Sequence, residues 1–371
     1  MMGPKNYLAR SFMATPIAIT VEGANILTRS LIIFGQGAIR CHPFVLRELN
    51  AAKDPDEERG LTEFDNALFG HIGYAISNLA RSLILALTHA KFSNVPLNTP
   101  TRRYYQNINR YSAAFALASD FAMLTLGGKL KQKELLSARL GDVLSSMYLA
   151  STVLKHFEDQ GRRASDLPLV EWSVRTLMYN AQEQLHSFLR NFPNRPIAFF
   201  LRLFIFPRGL TYSSPSDELA RKVVDVITHT GEARDRLCAM AYTTVEPGNP
   251  LGLLQEALEL SEQMAPLESR LRQAKKDGEI AADYLGHQID EAEKSQVVSK
   301  SEAQDLRDFH EKVLALMAVD DFAPDDIVRG SSNTAEVSQE KPKAPRKTAA
   351  KKKTTSKKVN KKKAKKKTKR R

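Results

Sequence analysis

The chain has 371 residues, of which 42% are hydrophobic and 26% are charged, a composition typical of a soluble globular protein. Its two cysteines, Cys41 and Cys238, are far apart and have no paired Cys/His spacing, which argues against a disulfide framework or zinc site and favours a reducing cytoplasm. The net charge of +13 comes from residues 341–371, where 18 Lys or Arg and no Asp or Glu occur, leaving 37 basic against 42 acidic residues in the body. General nucleic-acid binding by the body is therefore disfavoured.

The stretch ITVEGANILTR, residues 19–29, places a single carboxylate, Glu22, directly before Gly23. By pattern alone, Glu22 belongs to the first turn of a helix that begins near Gly23, where a negative charge favours the positive end of the helix dipole. The following GQGAIR, residues 35–40, begins like a dinucleotide-binding fingerprint. Arg40 occupies its third glycine position and a helical segment precedes it, so the pattern argues against nucleotide binding.

Helical periodicity from about residue 20 to residue 318 predicts an all-α fold, a helical bundle. Two apolar stripes stand out, one at Leu61, Phe64, Leu68, Ile72, Ile76, Leu79, Leu83 and Leu87, the other at Leu136, Leu140, Val143, Met147, Ala150, Leu154 and Phe157. Further helices are predicted at about 167–191, 216–229, 250–276 and 297–318, with Ser165 or Asp166 as an N-cap. The histidines show no ligand spacing, so no metal site is predicted.

The chain is predicted to divide into three parts. Residues 1–54 form one helical segment, which ends in a charged stretch that reads as a linker. Residues 55–327 form a larger helical domain. Residues 328–371 are rich in Ser, Thr, Lys, Ala and Pro, a composition that predicts a disordered tail. The tail is predicted to be solvated, with binding to an anionic membrane surface as the second interpretation and binding to nucleic acid as the third.

Two segments of the larger domain have open alternatives. The apolar stretch IAFFLRLFIF, residues 197–206, is too short to span a membrane and is predicted to be a core helix, with an interfacial helix as the alternative. The stretch TRRYYQNINRYSAAF, residues 101–115, interleaves basic residues and tyrosines. It predicts the start of an amphipathic helix with a solvated basic face, and a site for bases or phosphates is the alternative.

The motif at Glu22 resembles the Glu-Gly-Thr-Asn-x-Ile-Gln-Arg signature of flavin-dependent acyl-CoA dehydrogenases. Four positions match, Glu22, Gly23, Asn25 and Arg29, while Ala24 replaces the threonine. From about residue 3 to residue 325 the chain is similar to the large bacterial acyl-CoA dehydrogenases of fatty-acid β-oxidation. The other segments that carry this resemblance are GPKNYLAR, ARLGDVLSSMYLASTVLKHFEDQGR and DLPLVEW.

The resemblance implies FAD as cofactor, a medium- or long-chain acyl-CoA as substrate and a trans-2-enoyl-CoA as product. Glu22 is then the base that removes the α-proton, with its own backbone N–H helping to stabilise the enolate. Gly23 lets the backbone pass close to the substrate and the flavin. Asn25 and Arg29 have supporting roles beside the site.

In this family an N-terminal helical domain and a small β-domain precede the motif and supply most of the pocket. The chain is therefore expected to be the C-terminal part of such an enzyme, either a fragment or a separate subunit, and to need the missing FAD-binding domains or a partner subunit within a homo-oligomer. A remnant without activity is the less favoured alternative. The expected location is the cytoplasm, with peripheral attachment to the inner membrane as an option. The alternative function is a non-catalytic helical interaction module that the basic tail tethers to anionic surfaces.

Overall fold

A computed structural model describes residues 7–22, 26–95, 100–246 and 249–319. These residues contain α-helices, one π-helix and two short 3₁₀ segments, and no strand occurs among them, which confirms the all-α prediction. The helices are α1 Tyr7–Glu22, the π-helix Ile26–Gln36, α2 Gly37–Cys41, α3 Val45–Ala51, α4 Glu57–Leu87, α5 Arg102–Leu126, α6 Glu134–Asp159, α7 Leu167–Arg190, α8 Arg195–Ile205, α9 Asp217–Thr228, α10 Glu232–Cys238, α11 Pro250–Lys276, α12 Leu285–Lys294 and α13 Lys300–Met317. The predicted tail lies outside the described residues.

Local sequence signals explain where several helices begin. The side chains of Asp56, Asn194, Ser216 and Asn249 each accept a hydrogen bond from a backbone N–H in the first turn of the helix that follows. Asp166 is the N-cap residue of α7, one of the two predicted, but its side chain makes no capping hydrogen bond. Its carboxylate instead accepts a hydrogen bond from Arg236 on α10, at 2.5 Å.

The central core is formed by the buried side chains of helices α5–α8 together with Phe34 of the π-helix. Helix α6 packs most extensively against α7, and α5 contacts both of them as well as α4 and α8. Every member of the predicted 136–157 stripe is buried in this core. Helix α5 with the 3₁₀ turn after it is long and apolar enough to cross a membrane, but much of it is buried against the other helices, as a core helix is.

The predicted stripe from Leu61 to Leu87 forms helix α4 as expected, but it is more exposed than the stripe on α6. Leu61, Ile72 and Ile76 on α4 keep 64%, 46% and 62% of their surface exposed. The face of α4 that is buried carries small and polar residues instead, Gly60, Ala67, Asn78, Ser82 and Ala86. The sequence correctly predicts the helix, and its apolar face is only partly covered: Phe64, Leu68, Leu79 and Leu83 are half-buried, and Leu79 packs against the central core.

The three-helix unit is formed by α11, α12 and α13 around a smaller core. Its buried side chains are Leu271, Ala274, Ile280, Ile289, Ala292, Val298, Ala303 and Leu306. Ser299 and Glu302 form a capping box at the start of α13. Residues 1–320 group as one compact unit, and Phe34 shares the central core with helices after residue 55. The domain boundary near residue 55 stays a prediction.

Candidate functional site

The acyl-CoA dehydrogenase motif falls at the junction of α1 and the π-helix. Glu22 is the last residue of α1. The prediction that it lies in the first turn of a helix beginning near Gly23 is therefore wrong. Its side chain, and all of Gly23 and Asn25, lie outside the described residues. Arg29 is described and lies in the first turn of the π-helix. The predicted roles of all four residues remain predictions.

Arg29 joins the motif segment to the central bundle. One guanidinium nitrogen lies 3.3 Å from a carboxylate oxygen of Asp142 on α6. Burial raises the pKa of the Asp142 carboxyl, and the charge and hydrogen bond of Arg29 act against that rise. The helices also approach closely here, because a Cβ at Gly141 would lie 3.2 Å from the carbonyl oxygen of Arg29. Arg29 therefore serves as a structural contact in this arrangement.

A histidine cluster that the sequence did not reveal lies between α2, α4 and α5. His42, His71 and Asp120 place their potential ligand atoms within 4.8 Å of one another. The His42 Nε2 atom lies 2.9 Å from an oxygen of Asp120, and the His71 Nδ1 atom lies 2.8 Å from an oxygen of Glu48. Because these residues are separated by up to 78 positions, no sequence spacing could indicate the cluster.

The hydrogen bonds of His42 decide what this cluster can do. Its Nδ1 atom accepts hydrogen bonds from the backbone N–H groups of Phe44 and Val45, at 3.2 and 3.1 Å. The neutral ring therefore carries its proton on Nε2 and donates it to Asp120. In that tautomer Nε2 carries a proton and the Nδ1 lone pair is already used by the two backbone N–H groups, so His42 has no free lone pair for a cation. We call this arrangement, in which His42 links the start of α3 to Asp120 on α5, the clasp.

The two segments with open alternatives adopt distinct environments. Helix α8 buries Ala198, Leu201 and Ile205 and leaves Phe199 74% exposed, so the predicted core helix is buried on one face. The basic stretch does begin helix α5 as predicted. Its basic face is not simply solvated, however, because Arg110 keeps only 3% of its surface exposed.

Large apolar side chains cover the outer surfaces of α1 and α4. On α1, Phe12, Met13 and Ile17 are each more than half exposed. On α4 the exposed apolar side chains are Leu61, Phe69, Ile72, Ile76 and Leu87. Large exposed apolar side chains, where they form a patch, are typical of surfaces that another domain or subunit covers.

Comparison with known families matches residues 39–322 to the family described as acyl-CoA dehydrogenase, C-terminal, bacterial type. The matched range covers more than half of the chain and begins after the motif at Glu22. No solved structure matches the chain. The helices from α3 to α13 all fall within the matched range, which agrees with the all-α architecture. The chain therefore belongs to the bacterial-type acyl-CoA dehydrogenase C-terminal domain family.

Proposed function

We propose that the chain is the C-terminal part of an FAD-dependent acyl-CoA dehydrogenase that oxidises medium- or long-chain acyl-CoA to trans-2-enoyl-CoA in fatty-acid β-oxidation. The observation that carries the proposal is the family match over residues 39–322. The motif from Glu22 to Arg29, just before that range, supports it. The proposed location is the cytoplasm, with peripheral contact at the inner membrane through the basic tail.

Glu22 is the proposed base that removes the α-proton of the acyl-CoA thioester. Its position at the end of α1, beside Gly23, suits a carboxylate that must reach a bound substrate past a residue without a side chain. When bound, FAD supplies the acceptor for the hydride that leaves the β-carbon. Proton removal is the step that this chain contributes.

The described residues of the motif do not themselves fit a flavin contact. Arg29 is the only one of the four whose side chain is described, and its guanidinium faces Asp142. As in the family that the motif resembles, we assign the flavin to FAD-binding domains of the assembled enzyme or to a partner subunit. The exposed apolar side chains of α1 and α4 support this assignment, because an adjoining domain or a second subunit in a homo-oligomer would remove them from water.

The test begins with the visible absorption spectrum of the full chain after FAD is added and removed by dialysis. If the chain retains flavin, an anaerobic acyl-CoA titration should bleach it. If it does not, the same titration is made on the complex with the FAD-binding partner chain. Loss of a general base slows proton transfer by about 10²–10⁴-fold, so Glu22→Gln should slow bleaching by that factor.

Glu63→Gln provides the matched control, because Glu63 is an exposed carboxylate on α4 outside the motif. It should bleach at the wild-type rate. Near-normal bleaching by Glu22→Gln in the assembled enzyme would show that Glu22 is not the base. If no assembled complex binds flavin, the dehydrogenase assignment fails and the non-catalytic interaction module replaces it.

A further inference from the structure

A basic cavity of about 500 Å³ lies where α5, α7 and two loops meet. The loops are the one that follows α4 and the one that follows α8. Four cationic side chains line the cavity: Lys91 from the first loop, Arg103 and Arg110 from α5, and Arg175 from α7. Its volume lies within the range of about 300–1,000 Å³ that small-molecule sites occupy.

Within the described part of the chain, the cations of this basic cavity have no carboxylate partners. Two of the three arginines of the three-helix unit, Arg270 and Arg307, pair with Glu or Asp carboxylates. None of the four cavity cations forms an ion pair with a carboxylate of the described residues. Glu171, one turn before Arg175 on α7, is the carboxylate that acts on that guanidinium, and it does so through its charge alone.

The pKa of His89 reflects the positive charges around the cavity. Burial, followed by the charges of Arg110, Arg208, Lys91 and Arg103, lowers the pKa of His89. Both effects favour the neutral imidazole over the charged one, as expected where several cations converge. An anion entering the cavity would relieve the repulsion among these cations.

Arg110 is the most buried of the four cavity cations and makes one hydrogen bond among the described residues. Its residue surface is only 3% exposed, and one guanidinium nitrogen donates to the Thr211 hydroxyl at 2.8 Å. The guanidinium also lies 5.4 Å from the ring centre of Tyr111. A guanidinium has five N–H donors, and no other hydrogen bond of Arg110 occurs among the described residues. Both of its partners are neutral, so its remaining N–H donors are left for a ligand that enters the cavity, and an anion would offset the positive charge.

The walls of the cavity are fixed by polar contacts that do not involve a ligand. The buried amide of Gln182 accepts hydrogen bonds from the backbone N–H groups of Thr211 and Tyr212 and donates to the Tyr212 carbonyl, at 2.9–3.0 Å. Arg103 donates to the His89 carbonyl at 3.0 Å. Residues 89, 211 and 212 are thereby held in place, so the cations beside them are preorganised for a ligand.

The loop after α4 adopts an unusual backbone. His89 and Ala90 have φ values of 49° and 55°, a conformation that residues other than glycine rarely adopt. The Gln106 amide holds the next residues by donating to the Lys91 carbonyl at 3.0 Å. Strained residues of this kind persist where the surrounding structure fixes them and are frequent at ligand sites.

We propose that the basic cavity binds a soluble ligand that carries two or more phosphate groups. Planar guanidinium groups match phosphate oxygens through paired hydrogen bonds, and cations on three separate elements suit an extended polyanion better than a single carboxylate. The proposal concerns a surface distant in sequence from Glu22 and does not depend on the dehydrogenase assignment.

The test measures binding of inorganic pyrophosphate and of ADP to the full chain by titration calorimetry, with hydrogen exchange as the local readout. Because the lysine-rich tail also attracts polyanions, the local readout is needed to locate the bound ligand. Pyrophosphate and ADP should slow exchange in residues 88–93 and 211–213. Phosphatidylglycerol vesicles form the parallel arm for a lipid headgroup.

Lys91→Gln and Arg175→Gln each remove one cation from a side chain exposed at the cavity, so both should fold. Each should weaken binding about tenfold, the loss expected for one charge-assisted hydrogen bond. Lys53→Gln makes the same charge change at an exposed site away from the cavity and should leave the affinity unchanged.

Three results would overturn the proposal. The first is the absence of protection in both loops at saturating pyrophosphate and ADP. The second is equal affinity of the cavity variants and Lys53→Gln, which would place the anion on the tail. The third is protection by the vesicles alone, which would assign the cavity to a membrane headgroup.

Discussion

The central core and the three-helix unit are built from different side chains. The central core buries large ones completely, among them Phe188, Leu140 and Leu154. The three-helix unit buries mainly Ala, Val, Ile and Leu, and surrounds them with exposed ion pairs such as Arg307 with Asp290. Exposed ion pairs contribute little to stability, whereas fully buried apolar side chains contribute most of it. The three-helix unit should therefore be the less stable region.

Phe188→Ala is expected to have the largest effect, because it removes a fully buried ring from the central core. Substitutions of this kind lower the free energy of unfolding by about 3–5 kcal/mol. Urea unfolding followed by circular dichroism measures the loss. Phe199→Ala is the matched control on the exposed face of α8 and should change the free energy by less than about 0.5 kcal/mol. Equal effects of the two variants would contradict the packing described for the core.

Leu271→Ala tests whether the two regions unfold separately. Leu271 is 2% exposed in the three-helix unit, and its truncation should cost about 2–3 kcal/mol, the lower part of the range for a buried leucine. Hydrogen exchange should then accelerate in residues 250–317 while residues 104–206 keep their protection. Leu254→Ala, at a more exposed position of the same helix, is the control. Acceleration in both regions together would show that they form one cooperative unit.

The comparison of α4 with α6 shows what periodicity can establish. Both helices carry apolar stripes with helical spacing, and both helices form. On α6 the stripe is buried by α7, whereas on α4 Ile72 and Ile76 face outward. Periodicity records that a face is apolar and carries no information about what covers it. The burial of α4 could therefore not be predicted from the sequence.

The candidate sites show the same limit more strongly. The motif at Glu22 is contiguous, so its resemblance to a family can be recognised in the sequence. The basic cavity joins Arg110 to Thr211, which lie 101 positions apart, and the clasp joins His42 to Asp120. Such pairs depend on how the helices pack. The basic stretch before residue 115 begins a helix as predicted, and Arg102 and Arg103 on it are exposed. Arg110 departs from the predicted solvated face, because it is buried and donates to Thr211 in the loop after α8.

Lowering the pH should destabilise the three-helix unit before the central core. We expect this effect to be smaller than that of Phe188→Ala or Leu271→Ala. Hydrogen bonds from Arg270, and then from the backbone and hydroxyl groups of Ser299, lower the pKa of Glu302 from 4.5 to about 2. A carboxylate with a lowered pKa in the folded state stabilises that state above pH 4.5, and the contribution is lost as the pH falls from 4.5 towards 2. Asp142, beside the central core, has a raised pKa and the opposite dependence.

Hydrogen exchange at pH 5 and pH 3 measures this difference, after correction for the intrinsic exchange rate. The start of α13 should lose protection at pH 3, while the contact between the π-helix and α6 should keep it. Glu302→Gln should remove the dependence at α13, because the amide does not titrate in this range. Glu311→Gln, at an exposed position of the same helix, should leave the dependence intact. Identical pH profiles for the two variants would show that Glu302 does not cause the loss of protection at low pH. The other exposed ion pairs of the three-helix unit would then be the source of that loss.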